Sequence, residues 1–300
     1  KALGIGRKHI IAPNEGNAVA LAAGYYLATG KIGMVYMQNS GLGNAVNPIT
    51  SLTDPKVYAI PVLYMIGWRG TPGMKDEPQH VKQGEITLTL LELLGIRYVL
   101  LDEGSLMEEI NSSFCRYLLP ILKQGGSAAF VIKKGVFQSE NYGGFFNGHE
   151  FLREKAIGLI LRNMEQSDVV IATTGKISRE VYELRQKYSK HCRDFLTVGS
   201  MGHASMIALQ IAEQKSERNI WCLDGDGALL MHTGVMSLIG ARQPENFVHV
   251  LLNNFAHESV GGAPTVANSV DFCAMALACG YKKVYKVKEE KTLAEVVTKV

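Results

Sequence analysis

Apolar residues run along the chain in short stretches separated by segments of helical length. Val35–Met37, Val57–Ile66, Arg97–Leu101 and Ala128–Ile132 read as strands, while Glu85–Leu94 and Leu106–Lys123 have helical spacing. An Ala-rich stretch through Leu27 reads as an earlier helix. The pattern then fades. Over 135–149, Gly143, Gly144 and Gly148 stand among aromatics without a period, which predicts a linker. A second series follows, with strands at Val169–Thr173, Phe195–Val198, Ile220–Leu223 and Phe247–Leu252. Its helices are Glu150–Met164, Ile177–Lys187, His203–Gln214, Leu229–Ala241, Ser269–Ala278 and Thr292–Val300. The alternation predicts an α/β fold of two domains, 1–134 and 150–300, each around a parallel sheet. Ligands of such sheets bind at the carboxyl ends of the strands. The loops there are rich in Gly, Asn, Asp and His.

Composition narrows the classes. Hydrophobic residues make up 47% of 300 and charged ones 20%, which suits a packed core and excludes disorder. A net charge of +3 gives no reason to expect a nucleic-acid or membrane-surface partner. The longest apolar stretch, Ala59–Trp68, falls far short of the roughly 18 residues that span a bilayer. The first residues carry no signal-peptide core, and the missing initiator Met predicts a start inside a larger protein. Five cysteines (Cys115, Cys192, Cys222, Cys273 and Cys279) contain no CxxC and are odd in number. We read them as buried, reduced thiols rather than metal ligands, in a reducing cytoplasm.

The sharpest chemical signal is Asp224-Gly225-Asp226-Gly227, between a strand and a helix, with Asn253-Asn254 ending the next strand. Adjacent parallel strands would bring Asp226 and Asn254 side by side. A carboxylate, a carboxamide and a backbone carbonyl form an oxygen-only set that suits a hard cation such as Mg²⁺. The glycines allow close approach of a phosphate, and the helix start at Ala228 offers it free N–H groups. A Gly-rich turn with a capping Asp226 is the alternative, and the Asn pair at this spacing weighs against it.

GDG followed by NN at this spacing resembles the fingerprint of the thiamine diphosphate-dependent enzymes. The longer text is similar to the phosphonopyruvate decarboxylases of that superfamily, with sulfopyruvate decarboxylases as near relatives. The segments that carry the likeness are Gly225 to His232, Asn253 to Gly262, Tyr36 to Asn44, Ile66 to Gly70 and Asp76 to His80. The resemblance implies a pyrimidine-binding domain, here lacking the family's first strand and helix, followed by a diphosphate- and Mg-binding domain. It implies thiamine diphosphate and Mg²⁺ as cofactors, with Asp226, Asn254 and the Ala256 carbonyl on the metal. Gly225, Gly227, Ala228 and Thr174 would face the diphosphate. Met201 would prop the cofactor, and the Gly199 carbonyl would accept from its 4′-amino group. Glu15 matches the glutamate that shares a proton with ring nitrogen N1′, a role that calls for a carboxyl whose pKa burial has raised.

The activity so implied is non-oxidative decarboxylation of 3-phosphonopyruvate to phosphonoacetaldehyde and CO₂, in a homodimer or larger homo-oligomer. Its alternatives are sulfopyruvate decarboxylation and a non-catalytic interaction subunit. A phosphonate-bearing 2-oxo acid needs cations and N–H groups. Arg69 is the side-chain candidate, with Asn39 and Asn44 beside a Gly-rich loop. His80 and His257, in loops after strands, are candidate proton carriers. Asp76 and Glu77 read equally as solvated loop charges, and His9, His149 and His191 receive no role. No zinc or Ser-His-Asp pattern appears.

Overall fold

Strands that are apolar at every position, rather than at alternate ones, belong at the centre of parallel sheets covered on both faces. Two such sheets form here. The computed structural model describes residues 9–137, 148–188 and 193–299. The chain divides into two compact units, Lys1–Tyr142 and Gly143–Val300.

The first unit runs α1 (Glu15–Thr29), β1 (Gly33–Gln38), α2 (Leu42–Pro48), β2 (Val62–Gly67), α3 (Pro78–Leu93), β3 (Arg97–Leu101), α4 (Met107–Ser113), α5 (Leu119–Lys123) and β4 (Ala128–Ile132). Its parallel sheet has the order β1-β2-β4-β3. β4, buried at every residue, lies between β2 and β3. Asn14 starts α1 by accepting the Asn17 N–H at 2.9 Å, and Gly30, at φ 68°, ends it. The core gathers Val19, Leu42, Tyr64, Ile66 and Leu91.

The second unit runs α6 (Arg153–Asn163), β5 (Val169–Ala172), α7 (Lys176–Tyr188), β6 (Phe195–Leu196), α8 (Ala204–Gln214), β7 (Ile220–Gly225), α9 (Asp226–Met231), α10 (Val235–Arg242), β8 (Phe247–Leu252), β9 (Ala256–His257), β10 (Ala263–Pro264), α11 (Phe272–Ala278) and α12 (Glu290–Val297). Its parallel sheet has the order β6-β5-β7-β8, and β9 and β10 pair antiparallel. β7 and β8 pair continuously from Ile220↔Phe247 to Gly225↔Leu252.

Four expectations are corrected. The strand expected over 57–66 is confined to β2. Pro61 has no N–H for a ladder, and the Val57 and Ala59 amides both turn back onto the Asp54 carbonyl. The helix expected over 229–241 is two helices, because His232 leaves helical geometry (φ −136°, ψ 49°). The Gly-rich loop expected beside Asn39 and Asn44 is helical, as is all of 39–53. Cys222 is buried as expected, but Cys115 is exposed and Cys273 and Cys279 are half-buried. The expected chain start, most of the expected linker, His191 and Cys192 lie outside the described residues. No helix among the described residues is long and apolar enough to cross a membrane.

Candidate active site

In the second unit the Asp226 carboxyl opens α9 and is only 2% exposed. It accepts from the Thr265 hydroxyl at 2.6 Å and from the Asn254 backbone. Burial raises its pKa against those hydrogen bonds and the nearby His257. The Asn254 side chain is fixed at both ends, accepting the Ala256 N–H at 3.2 Å and donating to Glu258 at 3.1 Å. Glu258 is itself held by Arg153 (2.6 Å) and Lys176 (2.5 Å). Asp226 and Asn254 therefore lie side by side, as the spacing predicts, through the Asn254 backbone.

Gly227 brings two more expected residues together. A Cβ there would stand 2.6 Å from His257 Nδ1 and 3.4 Å from Met201 Cε. A Cβ on Gly225 would stand 3.5 Å from Ile177 Cδ1 and 3.9 Å from Thr173 Cγ2, in ordinary contact with both. The Thr174 hydroxyl donates to the Val198 carbonyl at 2.8 Å, which ties the loop after β5 to the one before Gly199. Its neighbour Thr173 has a buried hydroxyl with no hydrogen-bond partner among the described residues. The Thr174 hydroxyl is thus spent on the backbone, while that of Thr173 is not. A buried carboxyl, an unpartnered hydroxyl and side-chain-free glycines at a helix start fit a diphosphate held through a hard cation.

In the first unit Glu15 is half-buried and accepts from Asn44 Nδ2 at 2.8 Å. Its side chain lies against Gly41, where a Cβ would come within 2.3 Å of Glu15 Cγ. Asn39 is fully buried and spends its whole carboxamide on the loop after β2 and on α3. It donates to the Arg69 carbonyl (2.9 Å) and Thr87 Oγ1 (2.8 Å), and accepts the Arg69 N–H (3.0 Å). With no hydrogen left for a substrate, Asn39 positions the loop that bears Arg69. Asp76 grips that arginine through Nε (2.8 Å) and a terminal nitrogen. Arg69 in turn holds the Asp76 carboxyl well below the usual carboxylate range. Burial, and then the charge of Arg69, push the His80 imidazole below its ordinary value. Its Nδ1 is buried without a hydrogen-bond partner among the described residues.

Thr265 and Glu258 were missed as members of the site. Glu258 sits inside the Asn253–Gly262 segment and was open to recognition there. Nothing in the spacing marks Thr265, which comes 39 residues after Asp226.

Two family models match the chain. Residues 4–92 match the thiamine pyrophosphate enzyme N-terminal TPP binding domain, and residues 173–300 the C-terminal TPP binding domain. Phosphonopyruvate decarboxylase of Streptomyces viridochromogenes is 34% identical over 93% of this chain and 72% of its own length. The enzyme of the same name from Streptomyces hygroscopicus is 35% identical over 93% and 71%. Sulfopyruvate decarboxylase of Methanosarcina acetivorans is 28% identical over 95% and 76%. The chain belongs to the thiamine pyrophosphate enzymes. Within them it is a carboxy-lyase dependent on thiamine diphosphate, similar along most of its length to phosphonopyruvate decarboxylases.

Proposed function

We propose that the chain decarboxylates 3-phosphonopyruvate to phosphonoacetaldehyde and CO₂, using Mg²⁺ with thiamine diphosphate, as a homodimer or larger homo-oligomer in the cytoplasm. The observation that carries the reading is the meeting of Asp226 and Asn254 at the ends of adjacent strands. The choice of acid is supported by 34% and 35% identity to phosphonopyruvate decarboxylases against 28% to a sulfopyruvate decarboxylase at similar coverage. Thiamine diphosphate supplies a carbon nucleophile for the ketone and takes up the electrons released when the C1–C2 bond breaks.

The protein's own residues do the rest. Asp226, Asn254 and the Ala256 carbonyl would hold Mg²⁺, and the N–H groups at Gly227 and Ala228 would hold the diphosphate with Thr173. Gly199 and Met201 would set the cofactor's shape. Glu15, oriented by Asn44, would share a proton with N1′. Arg69 would meet the phosphonate with the terminal nitrogen that Asp76 leaves over. As C1 departs as CO₂, a proton must reach C2, and His257 beside Gly227 is the donor we assign. His80, whose imidazole burial and Arg69 push below its ordinary value, would accept the hydroxyl proton given up as the aldehyde carbonyl re-forms and the product leaves.

Comparison of kcat/KM for the two acids tests the substrate. Phosphonopyruvate should be preferred; preference for sulfopyruvate, or cofactor binding without CO₂ release from either acid, overturns the reading. Arg69→Ala should raise KM for phosphonopyruvate about tenfold, the low end for a half-exposed charged hydrogen bond, with cofactor affinity unchanged. Unaltered kinetics would assign Arg69 to the surface.

A further inference from the structure

Behind the Asp224–Gly227 turn lies a second polar group for which the decarboxylation has no use. Cys222 and Asp224 are two residues apart on β7 and so share one face of the sheet. His249 lies across on β8, in register with Cys222. A thiol sulfur, a carboxylate oxygen and a ring nitrogen here all lie within 4.8 Å of one another. Cys222 and Asp224 are 0% and 1% exposed, and the His249 side chain 6%.

One oxygen of Asp224 is explained, since Oδ1 accepts the Gly225 N–H at 2.9 Å. Oδ2 faces His249 Nε2 at 3.5 Å, beyond hydrogen-bond range. Both atoms are buried with no hydrogen-bond partner among the described residues. Two ligand atoms, each about 2.0–2.2 Å from a tetrahedral ion, stand about 3.3–3.6 Å apart, so the observed gap is the edge of such a site. The other ring nitrogen of His249 meets the Tyr281 hydroxyl at 3.0 Å. Metal-bound histidines use an outer bond of this kind to turn the remaining lone pair toward the ion. Charge also balances, because a thiolate, a carboxylate and a neutral imidazole around a divalent ion sum to zero, as an enclosed site requires. Without an ion, burial and the Asp224 charge hold the Cys222 thiol far above its ordinary range. A bound cation reverses that.

We propose that Cys222, Asp224 and His249 bind a thiophilic divalent cation, Zn²⁺ by their ligand chemistry, with water in the fourth position. This ion is separate from the hard cation at Asp226. It joins β7 to β8 directly behind the turn that carries Asp226.

The test uses the full chain purified without a polyhistidine tag, dialysed against Zn²⁺ and then against a weak chelator, with metal counted by atomic emission. Near-stoichiometric zinc is expected, and Asp226→Asn should keep it. Cys222→Ser should lose it, and Tyr281→Phe should bind it about 10–100-fold more weakly, as loss of an outer-shell partner does. Replacement of the zinc by Co²⁺ should give a thiolate-to-cobalt charge-transfer band in the wild type, so the proposal does not depend on any variant folding. Absence of that band, absence of retained zinc, or full retention by Cys222→Ser would overturn the site and leave a bare Asp224–His249 contact.

Discussion

The Asp226 carboxyl shows how a site residue works against its own fold. Burial raises its pKa above the unfolded value, so the metal-free protein favours the protonated form. The resulting cost to stability is absent below the unfolded carboxylate range. It sets in as pH rises through that range and is complete above the folded pKa. Asp226→Asn removes the cost, and its amide oxygen can still accept from Thr265. At pH 7, without cofactor, this variant should melt no lower than the wild type, while the rise in melting temperature on adding thiamine diphosphate and Mg²⁺ should vanish. Scanning fluorimetry measures both, and a full cofactor-dependent rise in the variant would remove Asp226 from the metal site. Glu15 is the counterpart in the first unit. Glu15→Gln keeps the shape that Gly41 and Asn44 accommodate but loses the exchangeable proton. Cofactor binding should survive, while kcat and exchange of the cofactor's C2 proton for deuterium should both slow by about 10²–10⁴. Exchange at the wild-type rate would exclude Glu15. Asp226, Asn254 and Glu15 were legible in the sequence because each stands in a motif. Thr265 was not, since a hydroxyl that reaches a carboxylate across a loop leaves no period and no spacing.

Among the elements, the loop after β2 and the start of α3 depend on each other. Trp68 donates its indole N–H to the Gly84 carbonyl at 2.9 Å, while a Cβ on Gly84 would fall 1.7 Å from the Gly70 carbonyl oxygen. Gly70, at φ +66°, is likewise pressed onto the His80 carbonyl. Gly84→Ala, a substitution that would favour an exposed helix, should here cost at least about 3 kcal/mol, because backbone meets backbone with no side chain to yield. Thermal unfolding by circular dichroism should show a lower melting temperature, together with a raised KM from a displaced Arg69. Undiminished stability would mean that the loop is not seated as described. This packing explains which elements the hydrophobic pattern missed. The 39–53 segment folds helically because Asn39 and its neighbours dock on the Arg69 loop and α3. That docking is tertiary, and the Gly- and Asn-rich text alone reads as loop. The break at His232 falls on His232-Thr233-Gly234, a short polar and Gly interruption inside an otherwise apolar stretch.

At the scale of the molecule, the series of alternating strands and helices carried the fold class, because central parallel strands such as β4 and β7 are apolar on both faces. The β9–β10 pair escaped notice because two-residue strands have no period to read. What places Asp226 beside Asn254 is the unbroken pairing of β7 with β8, whose last pair, Gly225↔Leu252, lies one residue before Asp226 and two before Asn254. The 28-residue separation of Asp226 and Asn254 is thus a consequence of the crossover's length and not a requirement of the chemistry. Chain length can therefore vary where the crossover turns and nowhere along the two strands. Two residues inserted beside exposed Glu245 should cost well under about 1 kcal/mol and leave cofactor affinity intact, although the motif would no longer scan. One residue inserted between His249 and Val250 would turn the rest of β8 over and carry Asn254 off the Asp226 side, abolishing cofactor retention as read by calorimetric titration. A search for relatives that enforces the spacing would overlook working enzymes, and one that enforces the pairing would not.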